Sequence, residues 1–295
     1  MNAQSPESHR ILVVIGTRPE AIKMAPVVEA LRGYEPDVLT RVAFTGQHTT
    51  LVDGVLGAFD LEADYDLAIM RDDQTLYDVV HAALDGLREV VREFRPDALL
   101  VQGDTATVFV ASLVGFFERV PVGHVEAGLR SGDKAAPYPE EVFRRMTDVV
   151  AEWHFAPTRR ARDLLLAENT PLTGIHVTGN TVVDALQAVS STGRPFTNPV
   201  LRALTEKKER GLVWLTAHRR ESFGQGLRDV FSAVRTLVDR DDSIDVVYPV
   251  HPNPNVSEPA REMLSGHPRI HLTDPLDYFD LVGALARARL VLTDS

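Results

Sequence analysis

Asp104, Glu126 and Glu140 are carboxylates placed where acid–base chemistry could be built. Gly103-Asp104-Thr105 and His124-Val125-Glu126-Ala127-Gly128 each end a strand-like run, and ligands of open α/β sheets gather outside the carboxyl ends of strands. Asp104 also suits a helix cap. Glu126 closes an apolar strand, so its charge needs a partner or solvent. Pro137-Tyr138-Pro139-Glu140-Glu141 opens a helix with Arg144 and Arg145 one turn on, a place where the helix dipole alone favours glutamate. If the carboxylates converge, their proton affinities are pushed apart and supply an acid and a base. His124 reads as a packed or hydrogen-bonded core histidine.

The cations lie in similar positions. Gly16-Thr17-Arg18-Pro19-Glu20 directly follows the first strand, and Pro19 suits the first turn of a helix, with Pro26 a point where that helix could kink. Arg18 and Lys23 would then flank a helix N-terminus that already favours an anion, such as a diphosphate; solvated cations on an ordinary strand-to-helix turn are the alternative. Thr216-Ala217-His218-Arg219-Arg220-Glu221 repeats the arrangement in the second half of the chain, and His251 stands in a proline-fixed turn at another strand end. His218 and His251 lack a recognisable metal spacing, and neither a metal nor a cofactor is predicted.

These residues need a frame. Strand-like runs are predicted at Ile11–Ile15, Val38–Thr45, Ala98–Val101, Val120–Val125, Ile175–Val177, Leu212–Thr216, Asp245–Val250, Arg269–Leu272 and Leu290–Leu292, each followed by a helical pattern. Several are apolar throughout, as in parallel strands covered on both faces, so the fold class is α/β with doubly wound sheets. Ser190 to Pro199 is rich in turn formers, which places a domain junction there: 1–190 as the first domain and 191–295 as the second.

Composition bounds the partners. The 295 residues carry a formal charge of -11, which repels nucleic acid on average and confines phosphate binding to a local cationic pocket. The chain has no cysteine, which removes disulfide and thiolate chemistry and suits a reducing cytosol. Its start is polar and no run approaches the roughly 18–20 apolar residues of a membrane span, so a cytoplasmic protein without a membrane partner is expected.

Gly16 to Pro26, Gly103-Asp104-Thr105, His124 to Arg130, Thr178-Gly179-Asn180-Thr181-Val182-Val183-Asp184-Ala185-Leu186 and Thr216 to Glu221, taken in order and spacing, resemble the bacterial non-hydrolysing UDP-N-acetylglucosamine 2-epimerases. The resemblance runs from Ile11 to Ser295. It implies two Rossmann-like domains of the GT-B type with a cleft active site, a homodimer, and reversible conversion of UDP-GlcNAc to UDP-ManNAc. It also implies the chemistry: elimination of UDP to 2-acetamidoglucal, then return of UDP with a proton delivered to the opposite face of C2. By the same resemblance Asp104, Glu126 and Glu140 handle protons or the intermediate, Arg18 and His218 bind the nucleotide with His218 also in the catalytic set, Lys23 lies near the site and Ser295 touches UDP. The family continues past Leu290 to Ser295 into a glycine turn and a helix, so the second domain is expected to be incomplete.

The chain departs from the family in places. Where members commonly read Glu-Glu-x-Asn-Arg, this chain has Glu140-Glu141-Val142-Phe143-Arg144, which predicts a lost polar contact at Phe143. Thr50 and Asp73 replace residues of a regulatory substrate site in the segment around Gln47 to Thr50, which argues against allosteric activation. A hydrolysing relative that releases UDP and ManNAc, and a non-catalytic nucleotide-sugar binder, share many of the same motifs.

Overall fold

The computed structural model describes residues 8–46, 59, 61–71, 73–207 and 210–294. The chain divides into two compact units, Met1–Ala185 and Leu186–Ser295, with the division inside the helix Thr181–Ser191.

In the first unit the strands are β1 (His9–Ile15), β2 (Val38–Phe44), β3 (Tyr65–Asp66), β4 (Ala98–Gln102), β5 (Val122–Val125), β6 (Trp153–Ala156) and β7 (Ile175–Val177). They form one sheet in the order β3-β2-β1-β4-β5-β6-β7, and every neighbouring pair is parallel. The order reverses between β1 and β4. Such a reversal opens a crevice at the carboxyl ends of the two strands, because their following helices leave on opposite faces. Buried Leu12 and Val14 of β1 and Leu99 and Val101 of β4 pack with Ala83 and Leu87 of the helix Leu76–Phe94 and Val108 and Ala111 of the helix Ala106–Phe117. Each fully buried Val or Leu of this kind contributes about 1.5–3 kcal/mol.

Local chemistry sets the ends of these helices. Thr75 and Asp78 exchange side-chain-to-backbone hydrogen bonds at the start of Leu76–Phe94, satisfying donors that the first turn would otherwise leave free. The helix Arg18–Arg32 starts directly after β1 and continues through Pro26 to Arg32. Gly16 is required at the turn before it: a Cβ there would lie 2.5 Å from the Thr107 hydroxyl oxygen.

The second unit holds β8 (Gly211–Thr216), β9 (Ile244–Pro249), β10 (Ile270–Thr273) and β11 (Ala288–Thr293), all parallel, in the order β10-β9-β8-β11. Here the reversal falls between β8 and β11. Buried Val213, Leu215, Val246 and Tyr248 pack against Leu227, Phe231 and Val234 of the helix Gln225–Arg240 and Val256 and Leu264 of the helix Pro254–Leu264.

Two strands go beyond the sequence reading. β6 was hidden by its polar His154, which is buried because its Nε2 meets the Asp148 carbonyl at 2.8 Å. β3 is two residues long and carries little periodic signal. Val120–Val125 is also shortened at its start, since Pro121 has no N–H to give the ladder, although its carbonyl accepts from the Leu99 N–H at 2.9 Å.

Candidate active site

The turn after β1 is built around a buried carboxylate. Glu20 accepts the Gly16 N–H at 2.5 Å, the Thr17 hydroxyl at 3.0 Å and the Thr105 hydroxyl at 2.8 Å, joining the ends of β1 and β4. Burial raises the Glu20 pKa from 4.5 to about 6, against the lowering effect of these hydrogen bonds. Lys23, one turn into the helix, points at Glu126: its Nζ donates to Oε1 at 2.9 Å and Oε2 at 2.7 Å. Arg18, the first residue of the helix, has no recorded side-chain partner among the described residues and stays half-buried.

Glu126 follows β5 with a left-handed backbone, φ 69°. Besides Lys23, the Gln102 amide donates to its Oε2 at 2.5 Å and the Asn180 amide to its Oε1 at 2.7 Å. Four donor contacts fill the carboxylate and fix its plane. Gln102 ends β4 immediately before Gly103, and Asn180 lies in the quoted Thr178 to Leu186 motif; neither was singled out by residue type, since amides carry no charge signal.

Asp104 is paired with Arg144, from the helix Glu140–Val150. Burial raises its pKa; Arg144 pulls it down, and the charges of Glu126 and Glu140 push it up, leaving it above the usual aspartate value. The charges of both Glu126 and Glu140 act on Asp104. The adjacent glutamates of the helix differ sharply. Glu141 is fully buried and accepts the N–H groups of Ser131 at 2.9 Å and Gly132 at 3.3 Å; these bonds outweigh burial and lower its pKa. Glu140 Oε2 is buried with no hydrogen-bond partner. An unpartnered buried carboxylate oxygen costs free energy, which a bound hydrogen-bond donor would relieve.

His124 is fully buried, with Nδ1 2.6 Å from Asp148 and Nε2 2.8 Å from the Gly103 carbonyl. Both nitrogens are occupied, so it is a hydrogen-bonded core histidine and not an accessible base.

In the second unit, His218 follows β8, with Nδ1 3.4 Å from the Thr216 hydroxyl, and its ring stacks on His251 at 5.5 Å. The Arg219 N–H donates to Asp294 Oδ2 at 2.9 Å, tying the ends of β8 and β11 together. His251 also lines a cavity of about 590 Å³ with Asn198, Ser257, Arg261 and Asp274. Ser295 and the segment Gln47 to Thr50 lie outside the described residues. Among the described residues no group of three or more His, Asp or Glu side chains is placed to hold a metal ion.

Comparison with known proteins identifies the family. The family model for UDP-N-acetylglucosamine 2-epimerase matches residues 31–295. The chain is 47% identical over 292 residues to the UDP-N-acetylglucosamine 2-epimerase of Yersinia pestis, covering 97% of this chain and 77% of that protein. The chain belongs to the UDP-N-acetylglucosamine 2-epimerase family. Among solved structures, the Neisseria meningitidis UDP-GlcNAc 2-epimerase bound to UDP-GlcNAc superposes with a TM-score of 0.85 at 38% identity, covering 97% of this chain and 78% of that one. The S. aureus MnaA–UDP structure gives a TM-score of 0.84 at 39% identity, with 97% of this chain and 74% of that chain covered. The mixed α/β architecture is the GT-B-like fold of these 2-epimerases.

Within this epimerase chain, Phe143 makes an apolar contact. Its ring lies nearly parallel to Phe109, 5.3 Å away, and packs on the first-unit core. The contact joins the helix that carries Glu140 and Arg144 to the helix that follows Asp104.

Proposed function

We propose that this protein interconverts UDP-GlcNAc and UDP-ManNAc at C2 by elimination and return of UDP, without hydrolysis. The observation that supports the reading is that Asp104 and Glu126 follow the carboxyl ends of β4 and β5, with the charges of Glu126 and Glu140 acting on Asp104. Each has a different environment. Glu126 is saturated by Lys23, Gln102 and Asn180, which suits a fixed charge that orients neighbours. Glu140 offers an unpartnered oxygen, which suits a base; Asp104, with its raised pKa, suits a group that holds and returns a proton.

In the forward direction a base takes the C2 proton while the C1–O bond to UDP breaks, leaving 2-acetamidoglucal and UDP. In the return step a proton is added to C2 from the opposite face and the UDP oxygen re-forms the bond at C1. Electrons and atoms balance without an external oxidant. The departing diphosphate needs cations, and Arg18, at a helix N-terminus, and His218 are the residues assigned to it; Lys23 stays with Glu126. Ser295 is assigned to UDP by the family resemblance. The active form is taken to be a cytoplasmic homodimer; light scattering of the purified protein tests the oligomer.

Incubation with UDP-GlcNAc and chromatography of the products tests the reaction. UDP-ManNAc at equilibrium with its isomer is expected; free ManNAc with UDP would assign a hydrolysing enzyme, and UDP binding without any product would assign a binder.

A further inference from the structure

One buried side chain, together with its carboxylate partner, connects the two loops that carry the candidate acid–base residues. His124 Nε2 lies 2.8 Å from the carbonyl of Gly103, the residue before Asp104. His124 Nδ1 lies 2.6 Å from Asp148 Oδ1, and Asp148 Oδ2 in turn accepts the N–H of Gly128, two residues beyond Glu126, at 3.2 Å. Gly128 could not be another residue: its φ is 83° and a Cβ would collide with the Ala161 carbonyl. The ring therefore bridges the start of the Asp104 loop to the Glu126 loop.

The protons on the ring follow from its acceptors. A carbonyl oxygen only accepts, so Nε2 must carry a proton. Asp148 is held as a carboxylate by Arg130, whose Nη2 is 2.8 Å from Oδ2, so Nδ1 must carry one as well. The other groups facing the pair are His154, whose Nε2 meets the Asp148 carbonyl at 2.8 Å, and Glu168, which neutralises Arg130 at 2.6 Å.

We propose that His124, doubly protonated and paired with Asp148, is a positioning residue that clamps the Asp104 and Glu126 loops in the geometry needed for proton transfer at C2. The catalytic part of this statement rests on the proposed epimerase reaction; the clamp itself does not. Burial favours loss of the proton, but the Asp148 charge and the bonds to Asp148 and Gly103 outweigh it and, against Arg130, hold the His124 pKa above the usual histidine value. The clamp is complete below the ordinary histidine pKa and fails as pH rises through the raised one.

Nitrogen-15 NMR of histidine-labelled protein, with His124 assigned by His124→Gln, reads the protonation directly. Protons on both ring nitrogens at neutral pH are expected; a neutral ring would overturn the clamp. In His124→Gln, hydrogen exchange at the Gly128 amide should rise, kcat should fall about tenfold or more, and KM and the stoichiometry of UDP binding by calorimetry should change little. A merely structural role would instead reduce the bindable fraction, and a kcat within about twofold of the parent would overturn the positioning role. If the variant does not fold, the ring's protonation in the parent protein decides. If the parent does not turn over UDP-GlcNAc, the reaction assignment falls, while the NMR and Gly128 exchange still judge the clamp.

Discussion

Lys23 reaches across 103 residues of sequence to donate to both oxygens of Glu126, at 2.9 and 2.7 Å. This pair binds the helix after β1 to the loop after β5, over the end of the intervening β4. It leaves the cation neutralised, so Lys23 serves Glu126 before it serves any ligand. Lys23→Met should therefore destabilise the protein by about 1–3 kcal/mol, since it strips a partly buried carboxylate of its cation. Urea denaturation measures this, and kcat should fall more than UDP affinity. Unchanged stability would show the pair to be dispensable.

Arg144 restrains the pKa of Asp104, which burial and two neighbouring carboxylates push upward. Arg144→Gln removes the restraint. The pH limb of kcat that belongs to Asp104 should move to higher pH. A limb that stays in place would remove Asp104 from the rate-determining proton transfer.

The frame of the site was readable because strand-like apolar runs with chemistry at their carboxyl ends leave few arrangements. Asp104 and Glu126 could be placed at strand ends from sequence, and Arg18 at a helix start. What separates Glu140 from Glu141 was not readable. They are adjacent and alike, and only the fold turns Glu141 to the Ser131 and Gly132 amides while leaving Glu140 Oε2 without a partner. Gln102 and Asn180 were silent for a related reason, since a neutral amide becomes informative only when a carboxylate is seen beside it. At Phe143 the substitution pattern predicted a loss, and packing on Phe109 supplied a different contact that sequence spacing does not reveal.

Arg18 meets no recorded partner among the described residues and stands at a helix N-terminus. Charge-assisted bonds to a diphosphate are worth about 1.5–3 kcal/mol each, so Arg18→Ala should weaken UDP binding by roughly ten- to a hundredfold. Calorimetry with UDP measures it, and His218→Ala should act in the same direction. Retained affinity in both variants would remove them from the nucleotide site.

Glu20 should titrate about 6, well above an ordinary glutamate, because it is buried. Its folded pKa is raised, so its contribution to stability is fully present below 4.5 and is lost as pH rises through about 6. The loss amounts to about 2 kcal/mol at one pKa unit per 1.36 kcal/mol. Carboxyl-carbon NMR titration of Glu20 checks the value, and an ordinary glutamate midpoint would contradict it.

On the proposed mechanism, the carboxylates around Asp104 remove a proton from C2 of UDP-GlcNAc and return one to the opposite face. Proton NMR and mass spectrometry of the products formed in deuterated water test it most directly. UDP-ManNAc carrying solvent deuterium at C2 is expected, with the incorporation slowed in Asp104→Asn far more than UDP binding is weakened. UDP-ManNAc formed without deuterium at C2, or labelled equally fast by Asp104→Asn, would contradict it.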